Sequence, residues 1–135
     1  MWQAHFVPLS RVVPEAPAVI EQLERLLASR DLDVSSRGRA LLRFMVGETL
    51  ANRLESLSLA TIARRVFRRG EDFDSNLDPA VRIEVARLRR ALDRYNRLAG
   101  AEDPVCISLP PGASVPVARW AAGRASHARE ILGQP

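Results

Sequence analysis

The residues of this sequence that could bind a ligand through their charge are its arginines, because all twenty basic residues of the 135-residue chain are arginine. Residues 35–70 hold eight arginines and two glutamates, a net charge of +6. Residues 79–100 hold six arginines, one glutamate and one aspartate, a net charge of +4. A planar guanidinium can donate two hydrogen bonds to a phosphate or to the O6 and N7 atoms of guanine. Two adjoining basic segments therefore indicate a surface that binds a polyanion.

A predicted helix over residues 79–98 carries much of this charge. Asp78-Pro79 is a typical helix start and Gly100 a natural end. Apolar residues three and four positions apart form one stripe, which comprises Val81, Val85, Leu88, Leu92 and Tyr95. At about 100° per residue, the opposite face carries Ile83 and the side chains that we expect to meet the base edges of a duplex: Ala86, Arg87, Arg90, Arg94 and Arg97. Arg82, on the flank of this face, completes the expected DNA-binding set of the helix.

Some positions on this face are open to a second interpretation. Arg82 could contact DNA or pair with the acidic segment at residues 71–78, and Arg89 lies on the flank of the face. Ile83 could touch a thymine methyl group, although we expect it to pack against the hairpin or the N-terminal arm. The arginines could also form an ordinary solvated face, but Glu84 and Asp93 lie elsewhere on the helix and balance them poorly.

A second, shorter helix is predicted from Ser58 to about Arg68. Ser58 is a good N-cap, and arginines cluster near the end of the helix, where the helix dipole favours cations. We expect this helix to anchor the DNA backbone, with Gly70 ending it. The phosphate-binding residues would be Ser58, Thr61, Arg64, Arg65, Arg68 and Arg69.

The remaining pattern predicts two further helices and a hairpin. Helices are expected over residues 15–29 and 37–52. We expect the second to be the central and most buried helix, because its apolar residues cover a broad face. These residues are Leu41, Leu42, Phe44, Met45, Val46 and Leu50. Strands are expected over residues 105–109 and 114–118, with Pro116 placing the second at an edge. The turn between them would form a wing with Gly112, Ala113 and Ser114 at its tip.

This order of elements predicts a mainly α fold with a small β-hairpin, a winged helix-turn-helix with an extra N-terminal helix. We expect an irregular arm at residues 1–14, a DNA-binding domain at residues 15–118, and a tail or short helix at residues 119–135. In such a domain the long helix enters the major groove, which is about 12 Å wide and suits one α-helix.

The same residues resemble a known module. The segments that carry the likeness are Glu21–Ser29, Leu41–Arg53, Thr61–Ala63, Val66-Phe67, Asp72–Asp74, Asp78–Glu84, Arg87–Leu92, Asp103–Val105, Ile107–Pro110, Gly112 and Val115–Val117. Over residues 18–118 the chain resembles the N-terminal domain of proteobacterial regulatory proteins that are labelled adenylate-cyclase-like or TolB/tetratricopeptide-repeat proteins. The resemblance implies a winged helix DNA-binding module, and no catalytic label is carried over with it.

The chain departs from that module in its basic residues. The module typically has Lys-Gly-Tyr where this chain has Ser58-Leu59-Ala60, and often lysine and Ser-Tyr where this chain has Pro111 and Ala113-Ser114. Arg64, Arg65 and Arg68 stand at positions that are usually less basic. We therefore expect the short helix to take over backbone anchoring from the wing.

Several classes of function have little support in the sequence. No apolar run approaches the roughly 20 residues of a membrane span, and the N-terminus lacks the features of a signal peptide. Cys106 is the only cysteine and the two histidines are far apart, so we expect no disulfide, no metal and no cofactor. No phosphate loop or nucleophile–base pair points to an enzyme, and no catalytic residue is assigned.

We therefore expect a cytoplasmic, nucleoid-associated transcriptional regulator that binds double-stranded DNA in a sequence-specific way. A module of this size gives modest affinity, so a homodimer or cooperative binding is expected, through residues 15–29 or the tail. Two alternatives stay open: a winged helix that docks on an acidic protein, and an architectural or recombination accessory protein that bends DNA.

Overall fold

A computed structural model describes residues 13–68 and 79–121 as four α-helices and a two-stranded antiparallel sheet. The helices are α1 (Ala16–Ala28), α2 (Ser36–Leu50), α3 (Leu59–Arg65) and α4 (Ala80–Arg97), with a 3-10 turn at Leu54–Leu57. The strands are β1 (Val105–Ser108) and β2 (Val117–Trp120). The predicted mainly helical fold with a small hairpin is confirmed. The acidic segment 71–78, Arg69, residues 1–12 and residues 122–135 lie outside the described residues.

Serine side chains begin two of the helices. The Ser35 hydroxyl accepts the backbone N–H of Gly38 at the start of α2, and the Ser58 hydroxyl accepts that of Thr61 at the start of α3. Each bond satisfies one of the N–H groups that have no partner inside the helix. The predicted N-cap at Ser58 is confirmed.

The guanidinium of Arg39 fixes the junction between α1 and α2. Its Nη1 atom donates to the carbonyls of Leu26 and Leu27, and its Nη2 atom to those of Ser29 and Leu32, at 2.9–3.4 Å. These carbonyls belong to the last turn of α1 and the loop after it, where a helix leaves acceptors unsatisfied. One side chain of α2 therefore completes the end of α1.

The hydrophobic core lies between α2 and α4 and continues to α1, α3 and β1. The predicted stripe of α4 is buried along its whole length, and Leu41, Leu42 and Met45 of α2 are fully buried. Leu50, which we expected in the buried set, is 38% exposed because α2 ends there. Burial of the stripe fixes the rotation of α4 about its own axis, and so decides which side chains face outward.

Helix α3 is shorter than predicted. It ends at Arg65 rather than at about Arg68, and the backbone N–H groups of Val66 and Phe67 both bond to the Ile62 carbonyl. Phe67 is buried, while Arg68 adopts a left-handed backbone conformation with φ of 56°. A longer helix would also have placed Phe67 on the buried face, four residues after Ala63, so the apolar pattern carries no signal of the earlier end.

The second strand begins three residues later and ends two residues later than predicted, at Val117–Trp120 instead of residues 114–118. Val105 pairs with Trp120 and Ser108 with Val117, so residues 109–116 form the connection. Pro116 has no N–H to donate to a ladder and lies just before the strand. Arg119 and Trp120, which we assigned to the tail, belong to β2 and continue the sheet beyond residue 118.

A polar cluster at the end of α4 joins three parts of the fold. The hydroxyl of Tyr95 donates to Asp103 Oδ2 at 2.6 Å, and Gln22 Nε2 of α1 donates to the same oxygen at 2.9 Å. Gly100 packs so closely on the Tyr95 ring that an added Cβ would lie 2.2 Å from Cε1. Burial, reinforced by the hydrogen bond to Asp103, raises the pKa of Tyr95 to about 12.

This raised pKa predicts a loss of stability at high pH. In the unfolded chain tyrosine titrates near pH 10. Below that pH the phenol is neutral in both the folded and the unfolded chain, and its full contribution to the free energy of unfolding is retained. Between pH 10 and about 12 the unfolded chain releases the proton first, and the free energy of unfolding should fall. Because Tyr95 is the only tyrosine, tyrosinate absorbance in native and urea-unfolded protein measures both midpoints directly.

The control for this titration is a Tyr95→Phe variant. Both proteins should carry Cys106→Ser, because burial also raises the pKa of the Cys106 thiol and would add a second titration. The fall in stability above pH 10 should flatten in Tyr95→Phe. Equal midpoints for the native and unfolded tyrosine would contradict the buried hydrogen bond.

Candidate nucleic-acid interface

The outer face of α4 presents the arginines that the helical spacing predicted there. All five arginines of the expected DNA-binding set of the helix are exposed, and Ala86 is half-buried. We call four of them the arginine row: Arg87, Arg90, Arg94 and Arg97. Within residues 13–68 and 79–121 the ion pairs are Arg25 with Glu21 and Arg53 with Glu48, so neither involves the row. Its positive charge therefore faces solvent without an acidic partner from the described residues.

A shallow cleft borders the row on the side of α2. It has a volume of about 360 Å³. Its lining residues are Asp33, Val34, Ser35, Glu84, Arg87, Arg90, Ala91 and Arg94. The Ser35 hydroxyl lies 3.4 Å from Glu84 Oε1 and can donate to it. The cleft thus has three guanidinium groups on one side and two carboxylates near the start of α2.

Arg89 has a different role from the other arginines of α4. Its Nε atom donates to the carbonyls of Leu109 and Pro110 at 3.1 and 3.3 Å, and its Nη2 atom to that of Ala113 at 3.1 Å. Asn96 adds a bond from Nδ2 to the Ile107 carbonyl. These contacts hold the hairpin beside α4. Helical phase placed Arg89 on the flank of the face together with Arg82, seven residues earlier, and so did not predict its bonds to the hairpin.

The tip of the hairpin is a tight turn. The N–H of Ala113 bonds to the Pro110 carbonyl at 3.1 Å, and Gly112 has a φ of 76°, which matches a type II turn with proline before glycine. Gly112 is exposed, whereas Ala113 and Ser114 are half-buried. Since the Ala113 carbonyl already accepts from Arg89, Gly112 is the most accessible of the three predicted wing residues.

The predicted phosphate-binding residues of α3 divide into two groups. Ser58 and Thr61 bond to each other and form the helix cap, and Arg64 lies 3.4 Å from the Thr61 hydroxyl. Arg64 and Arg68 are exposed. Arg65 is also exposed, but its guanidinium stacks on the ring of Phe44, 5.4 Å from the centroid. Arg64 and Arg68 are therefore more accessible to a ligand than Arg65.

Two other arginines help to hold α2 in place. Arg37 stacks on the buried Phe67 at 4.9 Å and so joins the start of α2 to the end of α3. Arg53 donates three hydrogen bonds to the carboxylate of Glu48. These bonds hold the pKa of the Glu48 carboxyl below its usual range. Neither interaction was predicted, since both depend on contacts that sequence spacing does not show.

The sequence left two interpretations open for each of two residues of α4, Ile83 and Arg82. Ile83 is 45% exposed, so the hairpin does not bury it; residues 1–12 of the N-terminal arm, the other expected partner, lie outside the described residues. Arg82 is exposed, and the acidic segment with which it could pair lies outside the described residues.

The described residues contain no cluster of three or more His, Cys, Asp or Glu side chains that could hold a metal ion. None of the described helices is long and apolar enough to span a bilayer. Comparison with models of known protein families, with curated proteins and with solved structures found no match.

The role of Arg89 in holding the hairpin can be tested by comparing substitutions of Arg89 and Arg90. Replacing Arg89 by Met removes three hydrogen bonds to hairpin carbonyls, and we expect a loss of about 1–3 kcal/mol in the free energy of unfolding. Arg90→Met changes the net charge equally but removes none of these bonds, and should alter stability by less than about 0.5 kcal/mol. Urea unfolding of both variants measures the difference. Equal stabilities would show that Arg89 does not hold the hairpin.

Proposed function

We propose that this chain is a duplex-DNA-binding protein of the winged helix-turn-helix type, in which α4 is the recognition helix and the hairpin is the wing. The observation that carries the proposal is the arginine row, an exposed series of guanidinium groups with no acidic partner among the described residues. The hairpin held beside α4 by Arg89 supports the winged arrangement. The resemblance of residues 18–118 to a winged helix module favours the same function.

The dimensions of α4 suggest how it would lie on DNA. Its 18 residues span about 27 Å at a rise of about 1.5 Å per residue, roughly twice the width of the major groove. Recognition helices contact base edges with their N-terminal residues. We therefore assign base contacts to the residues nearest the N-terminus, Arg82, Ala86 and Arg87. Arg90 follows on the outward face and would also face the groove. Arg94 and Arg97 would lie toward the phosphates at the edge of the groove.

Backbone contacts outside α4 would come chiefly from α3. Arg64 and Arg68 are exposed, and Arg69 follows them in the sequence. Arg65 would contribute through its charge, since its guanidinium already stacks on Phe44. The wing offers Gly112 but no basic side chain in residues 109–116, so it would approach the backbone through main-chain N–H groups.

A role as a transcriptional regulator and binding as a homodimer extend the proposal. A single module of this kind buries limited surface on DNA, and two copies on half-sites one helical turn apart would raise both affinity and specificity. The proposed location is the cytoplasm, in association with the nucleoid.

The proposal predicts that an Arg87→Ala/Arg90→Ala variant loses duplex binding. With a random-sequence duplex as probe and fluorescence anisotropy as readout, we expect affinity to fall at least about tenfold, because two charge-assisted contacts are lost. The slope of log affinity against log salt should also become shallower, because the variant presents two fewer positive charges to the duplex.

The matched control is Arg30→Ala/Arg43→Ala, which removes the same charge from two exposed positions outside α3, α4 and the hairpin. It should retain most of the wild-type affinity. Equal binding by wild type and the α4 variant would contradict the assigned face. Purification with an acidic protein in place of nucleic acid would favour a docking module instead, and strong bending of circularly permuted probes would favour an architectural protein.

A further inference from the structure

Ile83 is an apolar side chain at the N-terminal end of the basic face of α4. It lies in the first turn of α4 and is 45% exposed, although isoleucine is among the residues most often buried. At about 100° per residue it points within about 40° of Arg87 and Arg94. The outward face of the helix therefore begins with an isoleucine and continues with guanidinium groups.

The chemistry of the major groove offers one apolar partner for such a side chain. Each base pair presents hydrogen-bond donors and acceptors there, and only thymine adds a methyl group, at C5. An isoleucine among arginines can approach this methyl because the arginines draw the helix toward the phosphates on either side. The Ile83 position near the helix N-terminus is also where recognition helices meet base edges.

We propose that Ile83 reads the C5 methyl of a thymine in the DNA site, which makes it a specificity-determining residue. The proposal rests on the proposed function, since it needs α4 in the major groove. Arg87 lies one turn further, about 6 Å along the helix axis, and is placed to donate to a guanine within two base pairs. The binding site should therefore contain a thymine close to a guanine.

The test removes the methyl group and nothing else. A preferred site is first selected from a library of random duplexes with the full chain. Each thymine of that site is then replaced in turn by deoxyuridine, which pairs with adenine in the same way. At one thymine per bound copy we expect a loss of affinity of about threefold to fivefold for the wild type, the size of one methyl-sized apolar contact.

The same probes are measured with two variants in which an exposed apolar side chain is shortened. Ile83→Ala should bind the thymine site about as weakly as the wild type binds the deoxyuridine site, and deoxyuridine should cost it nothing more. Leu54→Ala is the matched control, because Leu54 is 47% exposed in the 3-10 turn after α2, and it should respond to deoxyuridine like the wild type.

The outcomes separate this proposal from the proposed function. If duplexes bind but no sequence is enriched, or if deoxyuridine costs the wild type and Ile83→Ala the same at every thymine, Ile83 does not read the methyl and DNA binding stands. If the wild type binds no duplex, the proposed function itself fails.

Discussion

Burial of the stripe from Val81 to Tyr95 is the constraint on which the outer surface of the protein depends. Val81, Leu88 and Leu92 are fully buried against the rest of the core. Because a helix turns about 100° per residue, fixing this stripe also fixes the direction of every other side chain on α4. The arginine row faces outward because a rotation of α4 that buried the row would place several charges in the core, at a cost of several kcal/mol each.

The arginines of this chain serve two physically different purposes. Arg39 and Arg89 each donate several hydrogen bonds to backbone carbonyls of another segment, one at the end of α1 and one in the hairpin turn. The planar guanidinium suits this role because its donors point in several fixed directions, which a lysine ammonium cannot match. The row on α4 makes no such contacts to other segments in the described residues, so its donors are available to a ligand.

Much of this arrangement follows from local sequence. The period of Val81, Val85 and Leu88 predicted the buried face of α4, and Ser58 predicted the start of α3, because both signals lie within a few residues of the structure that they specify. The position of β2 and the end of α3 were predicted wrongly. Both lie where distant contacts act, since Arg89 holds the hairpin turn against α4 and the buried Phe67, just beyond α3, stacks with Arg37 of α2.

In the candidate site, too, local sequence predicted some features and contacts between distant residues decided others. Helical phase predicted which arginines face outward and placed Ile83 on the same face, where it is 45% exposed. The clustering of arginines in the sequence did not separate Arg65 from Arg64, although stacking on Phe44 distinguishes them. Side-chain partners on other helices decide these differences, and a single sequence carries no direct signal of them.

The carboxylates beside the row limit the surface that the proposed complex can use. Asp33 and Glu84 line the cleft on the α2 side, and a phosphate brought against them would be repelled. On the other flank, Arg89 donates to the hairpin carbonyls, and residues 109–116 hold no acidic side chain. Asp93 of α4 is exposed on that flank and interacts electrostatically with the Cys106 thiol of β1. A duplex lying along α4 would therefore be attracted by the row and repelled by carboxylates on both flanks, which confines close approach to the row itself.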